Sequence, residues 1–286
     1  MLILKYKNRL GEVLMYGGGN HGIMIKDLAG FGTVEFEYES AVYSGCDGQK
    51  TLSRRAVPRA LTISVDISGA GTAAEVRRII DVLSEEGTLY ISDTSEGGIA
   101  RRIYCSQSAI PDAERIAAGK IAALTVQFVC DSPYFEDAAD TEIPIYRRIK
   151  NLSTPFTLPA VFGTTAAENT AFNIGSAAVE PVIAIRFTKT LSSAETVTVT
   201  NSTTGAFVSF SYTPQSGDVV KIDIPGRRLT SSRLGTITEQ LSDDTYLSDF
   251  RLERGRNVIG VSVGDAQSGA VVACIFNNKY LESAVI

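Results

Sequence analysis

The chain has 286 residues, of which 44% are hydrophobic and 21% are charged. This balance is typical of a folded protein and excludes extensive disorder, and no apolar run approaches the roughly 20 residues that a membrane-spanning helix needs. The net charge is −5, and the acidic excess lies entirely in residues 1–140, where 19 acidic residues outnumber 14 basic ones. A nucleic-acid-binding face is therefore not expected, because such a face needs clustered lysine and arginine.

The chain begins MLILKYKNRL, whose apolar stretch is too short for a secretory signal, so we expect the protein to be made in a cytoplasm. The four cysteines are Cys46, Cys105, Cys130 and Cys274, and His21 is the only histidine. Because there is no C-x-x-C pair and only one histidine, a zinc site is not expected. A cytoplasmic origin favours buried thiols that behave as small apolar residues, and the sequence leaves disulfides open.

Residues 16–23 read YGGGNHGI, in which Gly17, Gly19 and Gly22 have the G-x-G-x-x-G spacing of a dinucleotide-binding turn. Such a turn needs a preceding strand and a following helix whose N-terminus faces the pyrophosphate. The preceding EVLMY predicts a strand, but the following IMIKDLAGFGTVEFEYE predicts strand and turn. We therefore predict a loop between two strands, in which the glycines supply positive φ, and no bound cofactor.

His21 lies inside this loop, and a catalytic histidine would need a nucleophile and an orienting carboxylate nearby. No G-x-S-x-G motif is present, so we interpret His21 as a loop residue. The acidic runs at 136–140 and 242–244 lack the spaced pattern of a calcium loop and are interpreted as solvated acids. The sequence thus predicts no enzyme and no catalytic, cofactor-binding or metal-binding residue.

One segment, GTAAEVRRIIDVLSEEG, has the pattern of a helix, which we predict over residues 72–86. Thr72 and Glu75 have capping-box spacing, and Gly87 is predicted to end the helix. The apolar residues at i, i+3, i+4 and i+7 are Val76, Ile79, Ile80 and Leu83. The later segment PDAERIAAG has a weak apolar pattern and is interpreted as a second short helix or a turn.

Most of the remaining chain has the alternation or the β-branched and aromatic composition of strands. LTISVDI alternates strictly, and strand-like segments separated by glycine, asparagine and aspartate turns resume after Pro181. Between residue 137 and this point the pattern is interrupted by four prolines, which are Pro144, Pro155, Pro159 and Pro181. We therefore predict a mainly β protein with an α+β domain at residues 1–137 that carries one helix, a linker at 138–160, and an all-β sandwich or jelly roll at 161–286.

Five arginine pairs are dispersed along the chain, and neighbouring residues of a strand point to opposite faces, so no pair on a strand forms a basic patch alone. Some of them are expected to form salt bridges between subunits. The pairs are Arg54–Arg55, Arg77–Arg78, Arg101–Arg102, Arg147–Arg148 and Arg227–Arg228.

The segment LTVQFVCDSPYF combines a strand with Pro133, which ends the ladder, and two aromatic residues that favour burial. It resembles the strand that closes the first domain of the distal tail protein family of long-tailed, non-contractile bacteriophages. The turn at Asp47–Gly48 and the helix containing Arg77 follow the family's order. In the second half, the run Phe250, Leu252, Gly255 and Asn257 resembles its galectin-like jelly roll.

This resemblance implies a structural protein of the virion that forms a hexameric ring at the tail tip and is assembled in the host cytoplasm. The first domain would build the ring, and the galectin-like domain would carry receptor-binding or accessory proteins. The ring would join the tail tube to the baseplate and let DNA and the tape-measure protein pass. The acidic excess of residues 1–140 fits a lumen that repels phosphate, and His21 would then contact a neighbouring subunit or tail protein.

Two other classes of function stay open from the sequence. A carbohydrate-binding adhesin would use the jelly roll, and it predicts a monomer with a sugar groove lined by tyrosine or phenylalanine; the absence of tryptophan weighs against it. An enzyme that uses the glycine loop would retain a cofactor, and the lack of a nucleophile–base pair weighs against it.

Overall fold

The computed structural model describes residues 1–18, 22–32, 34–45, 47–69, 72–94, 99–109, 112–117, 121–149, 164–166, 168–263 and 269–283. The chain forms two compact units. The first unit comprises Met1–Ala138 together with Tyr280–Ile286, and the second comprises Ala139–Lys279. Within the described residues, no helix has the length and apolarity needed to cross a membrane.

The described residues of the first unit form strands and one α-helix. These elements are β1 (Leu2–Lys7), β2 (Glu12–Tyr16), β3 (Ile23–Ala29), β4 (Phe36–Ala41), β5 (Lys50–Ala56), β6 (Arg59–Ser68), α1 (Thr72–Leu83), β7 (Gly87–Asp93), β8 (Ile99–Gln107), β9 (Asp112–Ala117), β10 (Ile121–Cys130) and β11 (Phe135–Asp137).

Where the structure describes it, the second unit is composed of strands and two short 3-10 helices. The strands are β12 (Thr141–Ile149), β13 (Thr164–Ala166), β14 (Glu168–Asn173), β15 (Val182–Phe187), β16 (Glu195–Asn201), β17 (Phe207–Tyr212), β18 (Val219–Asp223), β19 (Arg228–Ser231), β20 (Gly235–Thr236), β21 (Gly255–Val263), β22 (Ala270–Phe276) and β23 (Lys279–Tyr280), whose last residue belongs to the first unit. The 3-10 helices span Thr238–Gln240 and Leu247–Asp249. The mainly β prediction is confirmed.

A ten-stranded sheet organises the first unit, in the order β23-β11-β8-β7-β1-β2-β3-β6-β10-β9. An additional pairing of β8 with β10 joins the two ends of a seven-strand run, so the sheet closes on itself. Alternation places one face of each strand in the core, as in β6, where Leu61, Ile63, Val65 and Ile67 are all buried. Across this core the Tyr6 and Phe128 rings stack with centroids 5.2 Å apart.

Helix α1 packs on this unit through its apolar stripe, as predicted, although it is shorter than expected. Ile79 and Leu83 are buried, while Val76 and Ile80 are half-buried. The helix ends at Leu83 because the Ser84 hydroxyl and backbone N–H both turn back to the Asp81 carbonyl oxygen. The Thr72 side chain of the predicted capping box lies outside the described atoms.

Two local predictions in the first unit are wrong. Gly87 does not cap the helix but begins β7, where a Cβ would lie 2.8 Å from the Lys7 carbonyl oxygen. Residues 112–117, predicted as a short helix or turn, form strand β9 because they pair with β10 at the edge of the sheet. Tertiary pairing therefore overrides a weak local pattern.

The second unit is a sandwich of two sheets. One sheet has the order β13-β12-β22-β15-β18-β19-β20, and the other has the order β14-β21-β16-β17. Their inner faces share one apolar core, which includes the buried side chains of Ile185, Val199, Phe210, Val261 and Val272. The strands of the second half thus pack as two sheets around one core, in agreement with the predicted all-β fold.

A buried polar network anchors the turn between β17 and β18. The Tyr212 hydroxyl donates to Asp218 Oδ2 at 2.7 Å, Arg233 Nε donates to the same oxygen at 3.1 Å, and so does the Gln215 backbone N–H at 3.1 Å. Asp218 is only 6% exposed. Burial tends to raise the pKa of Asp218, but these hydrogen bonds outweigh it and leave the pKa below its ordinary value.

Replacing Asp218 with asparagine is expected to destabilise the second unit by about 1.5–3 kcal/mol at neutral pH, because the charge-assisted bonds are lost. In the native chain the folded pKa of Asp218 is lowered, so its stabilisation is present above the unfolded pKa of about 3.9 and is lost as pH falls through the lower folded value. Urea unfolding at neutral and acidic pH measures the free energy of unfolding of Asp218→Asn and of the native chain. The exposed Asp244→Asn is the control. Equal acid sensitivity in Asp218→Asn and the native chain would contradict the assignment.

Candidate functional site

The glycine run lies between two strands, as predicted, because β2 precedes it and β3 follows it. The Gly17 backbone N–H donates to the Leu2 carbonyl oxygen at 2.9 Å, and a Cβ at Gly17 would lie 2.9 Å from Leu2 Cβ. Gly22 accepts a hydrogen bond from the Ser68 backbone N–H at 2.8 Å. The element described after this run is strand β3, whereas a dinucleotide-binding turn is followed by a helix N-terminus.

At Gly17 and Gly18 the reason for glycine differs from the predicted one, because neither residue has a positive φ. Gly17 is required instead by the close approach of β1. Gly19 and His21 lie outside the described residues, so the predicted contact of His21 with a neighbouring subunit stays a prediction.

Strands β4 and β5 of the first unit form a two-stranded arm whose residues are almost all exposed. Among the described residues the two strands pair only with each other, so each has an open edge. The arm and the turn after β4 carry large apolar side chains in solvent. Their exposed fractions are 57% for Tyr38, 75% for Val42, 54% for Tyr43 and 55% for Leu52.

Both arginines of the arm have partners within it. Arg55 forms a salt bridge with Glu37 at 2.6 Å, and the Arg54 guanidinium lies 3.5 Å from the centroid of the Phe36 ring. These exposed pairs contribute little to stability, so they do not explain why apolar side chains remain uncovered. An apolar arm of this kind is typical of a surface that another protein covers.

The chain leaves the first unit around a buried arginine. Phe135 of the predicted Pro-Tyr-Phe motif is fully buried, and its ring centroid lies 4.7 Å from the Arg59 guanidinium. Arg59 Nε donates to the Pro133 carbonyl oxygen at 2.8 Å, and Nη2 donates to that of Leu281 at 2.6 Å. The exit motif and the returning C-terminus are thus held by one side chain.

Arg59 also fixes the loop after β3. Its Nη1 donates to the carbonyl oxygens of Gly30 at 2.5 Å and Gly32 at 2.7 Å. Burial lowers the pKa of Arg59, but a guanidinium starts so high that the group keeps its charge. Four carbonyl oxygens therefore satisfy a cation that is only 6% exposed.

Several predicted arginine pairs find partners within the chain. Arg78 binds Glu75 at 2.7 Å, and Arg102 binds Glu136 at 3.3 Å. Arg227 binds Glu180 at 2.6 Å. The side chains of Arg147–Arg148 lie outside the described atoms, so salt bridges between subunits stay a prediction for them.

The acidic runs do not converge on a common point. Asp140 accepts a hydrogen bond from the Asn277 side chain at 2.9 Å. Across the described part of the chain, no group of three histidine, cysteine, aspartate or glutamate residues is placed to hold a metal ion.

These features define a class of two-unit β proteins, in which a closed sheet with an exposed arm precedes a β-sandwich. Residues 174–280 match the family described as "Siphovirus-type tail component, C-terminal domain". This match covers most of the sandwich. No curated protein sequence matches the chain.

Solved structures extend the likeness to the whole chain. The SPP1 Dit protein, described as a paradigm of the hub adsorption apparatus in phages infecting Gram-positive bacteria, is similar with a TM-score of 0.65 and 15% identity, covering 98% of this chain and 100% of that one. A chain of the phage P2 baseplate in its activated conformation with Ca is similar with a TM-score of 0.51 and 11% identity, covering 96% and 98%. The resemblance to the distal tail protein family is therefore confirmed, by the family match over residues 174–280 and by the fold over the whole chain.

Sequence reasoning did not single out Arg59 or the return of residues 280–283 to the first unit. Both depend on contacts between residues far apart in the chain, since Arg59 and Leu281 are 222 positions apart. The one available signal was a lone arginine at the start of an apolar strand, which is a rare position for a charge unless it is paired.

Proposed function

We propose that this protein is a structural hub of a siphophage tail tip that assembles into a hexameric ring. The ring joins the tail tube to receptor-binding proteins, and DNA and the tape-measure protein pass through its lumen. The observation that carries this proposal is the agreement of the fold with the SPP1 hub protein along the full length of both chains, together with the tail-component match in the sandwich.

The arm formed by β4 and β5 supports assembly through the first unit. Its open strand edges and its uncovered apolar side chains suit a contact with a second copy of the chain. A closed ring needs such a head-to-tail contact, in which the arm of one subunit meets a different surface of the next. The acidic excess of residues 1–140 suits a lumen that repels phosphate; a wall lined mainly by arginine and lysine would contradict this part of the proposal.

Placing a charge on the arm is expected to weaken ring assembly without unfolding the subunit. Tyr38→Asp puts a carboxylate where the proposal places an apolar contact, so we expect at least about tenfold weaker association, or 1.4 kcal/mol for each contact. Mass measurement across a dilution series measures the association of the subunits. Circular dichroism tests whether the variant is folded.

The matched control is Phe172→Asp on β14 of the second unit. Phe172 has the same 57% exposure as Tyr38 but lies on the sandwich. It is expected to leave assembly of the ring unchanged. Equal weakening by both variants, or unchanged assembly of Tyr38→Asp, would remove the arm from the proposed interface.

Carbohydrate binding by the sandwich is the alternative function. Phe172 gives it one specific observation, since this exposed ring lies opposite Arg256 on an outer face. Titration with host wall polysaccharide distinguishes the two functions. Saturable binding that is lost in Phe172→Ala would favour the adhesin, and the hub proposal expects none.

A further inference from the structure

Two cysteines meet at the seam that closes the first unit. The ladder between β8 and β10 contains the residue pairs Gln107–Phe128 and Ser106–Val129. The next pair along both strands is Cys105 with Cys130. Because directly opposed residues of an antiparallel pair point to the same face, the two thiols face each other.

The backbone geometry at this pair suits a disulfide. The Ser108 N–H donates to the Gln127 carbonyl oxygen at 2.9 Å, so alternation makes Cys105–Cys130 a non-hydrogen-bonded pair. The Cα atoms of such pairs lie about 4.5 Å apart, within the range of about 4.4–6.8 Å that a disulfide spans. Both side chains are buried, and the neighbouring Cys130 raises the pKa of the Cys105 thiol.

A cavity lies beside this pair. A partly open cavity of about 440 Å³ is lined by Cys105, together with Tyr104, Ser106 and Val129 from the same two strands. Cys274 is also buried, but it lies in the core of the second unit, whereas both members of the facing pair lie in the first.

We propose that Cys105 and Cys130 form a disulfide when the protein meets a small-molecule disulfide such as oxidised glutathione. The Cys105 thiolate attacks one glutathione sulfur, which forms a mixed disulfide and releases one glutathione. The Cys130 thiolate then attacks Cys105 Sγ and releases the second glutathione. Two cysteine thiols are oxidised, one glutathione disulfide is reduced, and the two protons pass to the released glutathione thiolates.

This disulfide would link two strands of the closed sheet that share a short ladder. The β8–β10 ladder has two residue pairs, whereas the neighbouring β7–β8 ladder has seven. A covalent link across the seam restricts the unfolded chain and clamps the closure, so the first unit becomes more resistant to unfolding.

The same geometry predicts slow oxidation near neutral pH. The hydrogen bond with Cys130, followed by burial, raises the pKa of Cys105, so little thiolate is present. The rate of exchange is therefore expected to increase with pH across the alkaline range.

The test uses the full chain incubated with oxidised glutathione, then alkylated, digested with trypsin and analysed by mass spectrometry. Trypsin cleaves after Arg115 and Lys120, so the two cysteines fall in separate peptides, 103–115 and 121–147. We expect these peptides to be linked and the intact mass to fall by about 2 Da, the mass of two hydrogens. The oxidised form is expected to melt several degrees higher, and a reductant is expected to reverse the shift.

Single cysteine variants show which thiols form the disulfide. Cys130→Ser is expected to stop at a single glutathione adduct on Cys105, whereas Cys274→Ser is expected to form the 105–130 link as the native chain does. Alkylation of both cysteines after full equilibration, a persistent mixed disulfide in the native chain, or linkage of either cysteine to Cys46 would overturn the proposal. Peptide mapping of the native chain decides this even if a variant fails to fold.

Discussion

Arg59→Ala is expected to destabilise the first unit by about 3–5 kcal/mol, because it leaves several carbonyl oxygens without a donor and each buried unsatisfied group costs about 1–3 kcal/mol. The guanidinium donates to the carbonyl oxygens of residues 30, 32, 133 and 281, and each of these loses a partner in the variant. The truncation also leaves a void beside the buried Phe135 ring.

Urea unfolding of the full chain measures this loss, and hydrogen exchange assigns it to the first unit rather than to the sandwich. Arg59→Lys is expected to recover part of the stability, since an ammonium keeps the charge but lacks the fork geometry. Exposed Arg77→Ala on α1 is the control and is expected to change stability by less than about 0.5 kcal/mol. If Arg59→Ala matches this control, the proposed role of Arg59 is wrong.

Gly30→Ala is expected to have the second largest effect, at least about 2 kcal/mol, from a left-handed backbone and a direct clash. Gly30 has φ +86°, and a Cβ there would lie 2.0 Å from the Ala60 carbonyl oxygen. Because that oxygen belongs to β6 beside Arg59, relieving the clash means moving the loop that Arg59 holds.

Gly32→Ala is the matched control for this substitution. Gly32 lies in the same loop and also accepts from Arg59, but a Cβ added at Gly32 would meet no atom within 4 Å. It is expected to be close to neutral in the same unfolding experiment. Similar losses of stability in Gly30→Ala and Gly32→Ala would show that the backbone conformation of Gly30 does not cause the destabilisation.

The sequence predicts the elements whose residues carry a strong local period. LTISVDI lies within β6, and the apolar stripe of α1 packs on the core. The Pro-Tyr-Phe motif also places Phe135 correctly, because a large ring at the end of a strand needs burial. Local periodicity is therefore sufficient for the fold class and for much of the core.

Features that depend on distant pairing were not predictable. Strand β9 forms because β10 offers it an edge, and its own residues have only a weak pattern. The arm formed by β4 and β5 is exposed because of its place in the topology, and its sequence alternates like that of a core strand. Facing cysteines at positions 105 and 130 follow from the closure of the sheet, which no local signal encodes.

The central claim is that this chain is the subunit of a ring-shaped hub. Negative-stain microscopy combined with native mass measurement of the purified protein tests it most directly. We expect six-fold rings with six times the 30.6 kDa mass of the subunit. A 30.6 kDa monomer at every concentration, both alone and mixed with the other tail proteins of its phage, would contradict it.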